Sequence, residues 1–292
     1  MIPLDLSGKV ALVTGVGDDL SLAWYIAKTL QAAGAKLIFA CHPRMVNIVS
    51  NILTREQDAS ERKLPFVEGS LQVEKVLACD VAYDTLEDAE PSVREDKRWN
   101  RHGDFSIAGM VANVAEVTDR VDILIHSVAF SAEIKKALWE TTRKGYLTAL
   151  SISSYSLIAL TRALLPMMEK AGGGSVVGLT YIGGVRVVPH YGGGMSTAKA
   201  ALEIDAKQLA SNLGPRGIRV NLISAGPYAS RAASAIGDME AMKAHAASRS
   251  PLPRPIEAQE VANTAAFLVS PLASAITGEV IYVDCGYNVM GV

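Results

Sequence analysis

The chain has 292 residues, 49% of them hydrophobic and 20% charged, with a net charge of −2. That length suits one large α/β domain or two small ones, and the apolar fraction is ample for a buried core. With no basic surplus and no block of like charge, neither nucleic acid nor a membrane is an expected partner, and no apolar run approaches membrane-spanning length.

Short β-branched runs alternate with longer helical patterns along the chain. Strands are expected at 9–14, 36–41, 74–78, 121–126, 175–180, 219–223 and 279–283, and helices at 23–33, 151–170, 197–213 and 258–268. Most of the strands are nearly continuous apolar runs, as they are when helices cover both faces of a parallel sheet. The rhythm therefore predicts an α/β fold, a doubly wound, Rossmann-type sheet of seven parallel strands in a single domain. Ligands are expected beyond the carboxyl ends of those strands. Residues 42–71 and 82–107 break the rhythm. They are polar and rich in proline and charge, and read as irregular surface excursions, part of which borders the cofactor or substrate mouth. Cys41, Cys79 and Cys285 are far apart and form no metal-ligand spacing, so a reduced, intracellular setting without a metal is expected. Met1-Ile2-Pro3-Leu4-Asp5 lacks the character of a secretory signal.

The first strand ends in a glycine turn, Gly15-Val16-Gly17, before a helix from about Leu22. A helix N-terminus behind such a turn offers free amides and a positive dipole end to a pyrophosphate. The spacing is not G-x-G-x-x-G, so small residues at Gly15, Ser21 and Ala23 have to provide the close approach. Asp18 and Asp19 are awkward beside a pyrophosphate, and are expected to point into solvent or cap the helix. The second strand ends in Ala40-Cys41-His42-Pro43-Arg44, without the carboxylate that holds the ribose of NAD. Arg44 can reach a 2′-phosphate or be a solvated loop residue, so NADH and NADPH both stay open. At the third strand end, Asp80 can accept from an adenine amino group and Val81 can offer a backbone amide. The fourth ends in His126-Ser127-Val128-Ala129-Phe130, with small residues where backbone approaches a cofactor and His126 read as a satisfied strand-end histidine.

The most informative run follows the fifth strand: Tyr181, then Tyr191-Gly192-Gly193-Gly194-Met195-Ser196-Thr197-Ala198-Lys199. A phenol before a helix can hydrogen-bond a carbonyl oxygen as charge develops, and an ammonium on the helix can stabilise the same charge. Gly192-Gly193-Gly194 allows tight passage beside a flat nicotinamide. Lys199 lies among Ala198, Ala200, Ala201 and Leu202, a costly place for an unpaired ammonium, and ribose hydroxyls are a suitable partner. Tyr181 is either a site residue or a packing aromatic.

Here the chain resembles the enoyl-acyl-carrier-protein reductases of type II fatty acid synthesis, a divergent branch of the short-chain dehydrogenase/reductase family. The resemblance runs nearly end to end. It is carried by Tyr181, Tyr191 and Lys199, by Arg219-Val220-Asn221-Leu222-Ile223-Ser224-Ala225-Gly226-Pro227, and by Ser270-Pro271-Leu272-Ala273-Ser274-Ala275-Ile276-Thr277-Gly278. The eight-residue step from Tyr191 to Lys199 and the excursion after the second strand are similar to the plant, apicomplexan and chlamydial form. The resemblance implies hydride transfer from NADH to C3 of a trans-2-enoyl thioester on acyl-carrier protein. Tyr191 then stabilises the enolate, Lys199 holds the nicotinamide ribose, and Tyr181 lines the acyl pocket. Gly15, Ser21, Leu22, His42, Asp80, Val81, Ser127, Val128, Ala129, Ile223, Ala225, Pro227 and Ser230 are the implied cofactor contacts. Ala129, Phe130, Tyr228, Ala232 and Ile236 join the two tyrosines around substrate, with 228–245 as a mobile substrate-binding loop and helix. A homotetramer is also implied, in a bacterial cytoplasm or, alternatively, a plastid stroma. Tyr25, His42 and Tyr228 depart from the residues usual in the family.

Three rivals remain at this stage. Ser196-Thr197-Ala198-Lys199 is an S-x-x-K string, but the S-D-N and K-T-G partners of an acyl-enzyme are missing. Another reductase of the same fold acting on ketones or enones is compatible with the residues, since fold does not fix substrate. A non-catalytic dinucleotide sensor fits poorly with keeping both Tyr191 and Lys199.

Overall fold

The computed structural model describes residues 4–230 and 238–291. Its seven strands form one sheet, every pair parallel, in the order β3-β2-β1-β4-β5-β6-β7. The strands are β1 Val10–Thr14, β2 Lys36–Cys41, β3 Lys75–Ala78, β4 Ile123–His126, β5 Gly174–Thr180, β6 Ile218–Ala225 and β7 Val280–Val283. All seven fall where the apolar runs predict them. The strand order reverses between β1 and β4, so the crevice beyond their carboxyl ends is the expected ligand site.

Side chains alternate along each strand and so feed two cores. Ala11 and Val13 of β1, with Ile123 and Ile125 of β4, pack under α1 (Leu22–Ala32) and α10 (Ala258–Val269). Val10, Leu12 and Leu124 face the opposite way, toward α5 (Ile107–Ala115), α7 (Ser156–Lys170) and α8 (Met195–Leu213). Leu12 is completely buried, and truncating such a residue to alanine costs about 2–5 kcal/mol. Ser21 caps α1, accepting a hydrogen bond from the Trp24 amide at 3.3 Å.

The excursions hold more order than their composition predicts. Residues 46–54 form a helix, α2 (Val46–Thr54), whose Val46 and Val49 join the core. The second excursion contains two single turns, α3 (Pro91–Arg94) and α4 (Lys97–Asn100). The helix expected at 151–170 starts earlier, with α6 (Arg143–Leu150), and passes through a π turn at Ser151–Tyr155 before α7. Residues Arg143–Lys170 are thus long and apolar enough to cross a membrane by length and composition, against the expectation from the sequence. The apolar stretch is broken there by serines, and half of its most apolar window is buried inside the fold. Its place under the sheet is that of a core helix.

Candidate active site

Gly15 is held at φ +75°, and a Cβ on it would fall 1.8 Å from the Ser127 carbonyl oxygen. Only glycine lets the β1–α1 turn lie this close to the backbone leaving β4. The Thr14 hydroxyl ties the same two strand ends together by donating to the Ile125 carbonyl at 2.9 Å. Beyond them opens a cavity of about 500 Å³. Gly15, Leu22, Ser127, Val128 and Ala129 line one end, and Ala225, Pro227, Tyr228 and Ser230 line the β6 side. Tyr181, Tyr191, Lys199 and Phe130 complete the wall, with Met239 and Met242 from α9 (Met239–Arg249) opposite. Methionine side chains adapt to variable apolar shapes. Ala232 and Ile236 lie outside the described residues.

Tyr181 leaves β5 in extended conformation and meets Tyr191 edge to face, ring centroids 5.1 Å apart. Burial pushes the Tyr181 phenol up to about 12 and Tyr191 higher still, with each ring also opposing a second phenolate. Both therefore stay protonated as hydrogen-bond donors at neutral pH. Lys199 is 4% exposed. Its Nζ donates to the Leu179 carbonyl at 2.7 Å, and burial lowers its pKa to about 8 while Glu203 opposes that shift. Glu203, one turn further along α8, accepts from the Thr180 hydroxyl at 2.8 Å. The lysine thus has a single protein acceptor at its head among the described residues, and remains a cation with donor capacity facing the cavity.

The glycine run has a different reason from the one the sequence suggests. Cβ atoms on Gly192 and Gly193 would fall 2.0 Å from the Lys136 oxygen and 2.3 Å from the Glu133 carbonyl carbon. Their amides donate to Ile134 and Lys136 carbonyls at 2.9 and 3.2 Å. The close passage is therefore against the protein's own segment 133–136, not against a nicotinamide. Gly193 and Gly194 are left-handed and turn the chain into α8 immediately after Tyr191. The Ser196 hydroxyl donates to the Tyr191 carbonyl at 3.0 Å, so the S-x-x-K nucleophile has neither a free hydroxyl nor a free base.

The expectation for Asp18 is corrected by its burial. Asp18 is 2% exposed, and its Oδ1 accepts from the Leu20 amide at 3.1 Å. It is neither in solvent nor the helix cap, a place taken by Ser21, which faces the turn rather than the cavity. Ile223 is buried in the α1–α10 core because it alternates with Leu222 along β6. His42, Asp80 and Val81 lie apart from the cavity lining. Trp99 Nε1 donates to Asp80 Oδ2 at 2.9 Å, and His42 Nε2 is 3.5 Å from the same oxygen. Burial alone would raise the Asp80 pKa, but His42 and Trp99 hold it below the ordinary carboxylate range. The Arg44 guanidinium lies 4.6 Å above the Trp99 ring. His126 is fully buried, its Nε2 2.7 Å from Ser156 Oγ. That hydroxyl donates to the Ile152 carbonyl, so Nε2 carries the proton. Burial, then the charge of Lys199, lowers the His126 pKa to about 3.

Sequence reasoning missed Glu203, Trp99 and the serines of the π turn. Ser153 clamps the pocket loop, accepting from the Phe130 amide at 2.9 Å and donating to the Phe130 carbonyl at 3.1 Å. Ser154 donates to Asp205 on α8 at 2.6 Å. A helix interior with three serines within four residues was the available signal, since such side chains seek partners off the helix axis.

Residues 100–288 match the family described as enoyl-(acyl carrier protein) reductase. The chloroplastic NADH enoyl-[acyl-carrier-protein] reductase 1 of rice, Oryza sativa subsp. japonica, is 48% identical over 292 residues, covering 99% of this chain and 77% of the relative. The corresponding NADH enzyme of the cyanobacterium Nostoc is 40% identical, with 99% of each chain covered. The crystal structure of the Plasmodium berghei enoyl-acyl-carrier-protein reductase with triclosan superimposes with a TM-score of 0.92 at 38% identity, covering 97% of this chain and 99% of the other. Matches of this identity and extent place the chain in the enoyl-acyl-carrier-protein reductase family.

Proposed function

We propose that this chain reduces the trans-2 double bond of enoyl-acyl-carrier-protein thioesters with NADH, the reduction that closes each cycle of type II fatty acid elongation. The observation that carries this reading is the pair of protonated phenols, Tyr181 and Tyr191, in edge contact beside a buried Lys199 on one wall of an apolar cavity. The cavity also fits a dinucleotide. It runs from the Gly15 turn at the α1 N-terminus, past Ser127–Ala129, to Ala225–Ser230, with Lys199 placed for ribose hydroxyls. His42, Asp80 and Val81 stand farther out, on the side where an adenine belongs.

When bound, reduced nicotinamide supplies a hydride. The protein's part is to stabilise the charge that hydride addition at C3 sends to the thioester oxygen. The Tyr191 hydroxyl donates to that oxygen as the enolate forms, and Lys199 adds positive potential in a site of low dielectric. Protonation at C2 then gives the saturated thioester. Tyr181 packs against Tyr191 and fixes its ring, while Phe130, Tyr228, Met239 and Met242 surround the acyl chain. The α6–α8 face exposes Leu147, Tyr155 and Ile204, which supports assembly through these helices into a homotetramer. The working compartment is that of an intracellular protein, a bacterial cytosol or a plastid stroma. The test is loss of reduced-cofactor absorbance with trans-2-enoyl-acyl-carrier protein, run in parallel with NADH, with NADPH and with ketone substrates. Turnover with NADH supports the reading, and turnover of ketones alone would replace it with a carbonyl reductase.

A further inference from the structure

Helix α9 supplies the methionine wall of the catalytic cavity, yet little of its own surface holds it in place. Among its residues only Ala246 is buried, and its Lys243–Glu240 pair, at 2.9 Å, links the helix only to itself. The helix has therefore to be held from the chain on either side of it.

Both ends of the segment that carries α9 meet the turn after β7. Before the segment, the Gly226 amide donates to the Val283 carbonyl at 2.9 Å, and a Cβ on Gly226 would fall 3.2 Å from the Asp284 Cα. After it, the Leu252 amide donates to the Cys285 carbonyl at 3.1 Å, and a Cβ on Gly286 would fall 2.9 Å from side-chain carbons of Pro251. Between these ends, the His245 ring of α9 meets the Tyr287 ring edge to face, centroids 6.3 Å apart. His245 continues the three-residue steps of Met239 and Met242 along one side of the helix. Arg249 Nη1 donates to His245 Nδ1 at 2.9 Å and fixes that ring.

The turn itself is tightly bonded. The Asp284 carboxylate accepts from the Gly286 amide at 2.9 Å and from the Asn288 amide at 2.8 Å, and the Tyr287 amide donates to the Asp284 carbonyl at 3.1 Å. Cys285 and Gly286 are both left-handed, at φ +59° and +86°. A cysteine adopts that backbone only at a cost, and such strain persists where the surroundings fix it. Its consequence here is the course of Tyr287, which meets α9 and lies near enough to Tyr181 to add to burial in keeping that phenol protonated.

We propose that Tyr287 is a positioning residue for the acyl pocket, with the turn at 284–289 as the anchor that sets the α9 wall. The proposal rests on the enoyl-thioester reading of the cavity and adds what fixes its far side. Met239 and Met242 stand opposite the tyrosines, so their placement governs the grip on the hydrocarbon tail and leaves the thioester carbonyl to Tyr191. An edge-to-face aromatic pair corresponds to about 2- to 10-fold in an equilibrium constant.

The test compares wild type with Tyr287→Ala, Tyr287→Phe and Cys285→Val on trans-2-butenoyl- and trans-2-decenoyl-acyl-carrier protein. Tyr287→Ala should raise KM for the long chain about 2- to 10-fold, with KM for the short chain, kcat, NADH affinity and melting temperature at wild-type values. Tyr287→Phe keeps the ring and should restore the wild-type KM. Cys285→Val, whose β-branched side chain resists a left-handed backbone, should reproduce the alanine defect. Limited trypsin digestion read by mass spectrometry should show faster cleavage after Lys243 and Arg249 in Tyr287→Ala and Cys285→Val. Equal KM losses at both chain lengths with a lowered melting temperature would make Tyr287 a merely structural residue and overturn the proposal. So would wild-type KM and cleavage in Tyr287→Ala, or a failure of Tyr287→Phe to restore KM. If wild type reduced neither thioester, the enoyl-thioester reading would fail, and unchanged cleavage would overturn the anchor independently of it.

Discussion

Replacing Tyr191 by phenylalanine isolates one hydroxyl. The ring stays where it is packed, 5.1 Å from Tyr181 and against Gly183, whose Cβ would fall 2.6 Å from it. The hydroxyl has no hydrogen-bond partner among the described residues, so its loss leaves no orphaned donor or acceptor and should change stability by less than about 0.5 kcal/mol. Its contribution is made to the substrate oxygen as charge develops. Removal of one donor to such an oxyanion costs about 2.7–4 kcal/mol, or about 10²–10³ in kcat. Because the cofactor does not bear that charge, NADH affinity by fluorescence titration should stay within about two-fold, by the logic of differential transition-state binding. Tyr181→Phe should lose far less, since Tyr181 acts by packing. Wild-type kcat in Tyr191→Phe, or a larger loss in Tyr181→Phe, would assign the donor role to the wrong phenol.

Lys199→Met should abolish most turnover and weaken NADH binding, yet raise thermal stability. A pKa of about 8 against the ordinary 10.5 is about 3 kcal/mol of penalty for holding the ammonium below pH 8, and loss of the Leu179 hydrogen bond returns about 1 kcal/mol. A lower melting temperature would contradict that balance. The depressed pKa also predicts that kcat/KM falls above about pH 8 with the slope of one proton, since the active form is the protonated lysine and both tyrosines keep their protons through that window. A rate flat into the ordinary lysine range would refute it. Gly15→Ala should destabilise the fold by at least about 1–3 kcal/mol through its left-handed backbone alone, with further loss from the Ser127 clash and a drop in NADH affinity. Unchanged NADH titration would remove the turn from the cofactor site.

The sheet was legible because β1, β2, β4 and β6 are buried on both faces and read as apolar runs, so position and parallel character follow together. Tyr191 and Lys199 were legible because a phenol and a lysine at the start of one helix share a local geometry. What escaped depends on contacts distant in sequence or on parity. Trp99 reaches Asp80 from a polar excursion, and Glu203 is recognisable only once α8 is laid against Thr180. Ile223 belongs to a core because of which face of β6 it occupies, a matter the family motif does not express. Helix α2 was hidden by its β-branched Val46, Ile48 and Val49 and by Met45, which provides no side-chain cap. Asp18 shows the reverse error: a carboxylate judged by charge alone belongs in water, whereas local backbone donors brought it inside.

The central claim is a hydride delivered to C3 of an enoyl thioester held by Tyr191 beside Lys199. The most direct test is to incubate the protein with trans-2-enoyl-acyl-carrier protein and NADH deuterated at the transferable position, then locate the label by mass spectrometry and NMR. The account predicts a saturated acyl chain with one deuterium at C3 and a solvent-derived hydrogen at C2. An untouched double bond, or deuterium on a reduced carbonyl carbon, would contradict it.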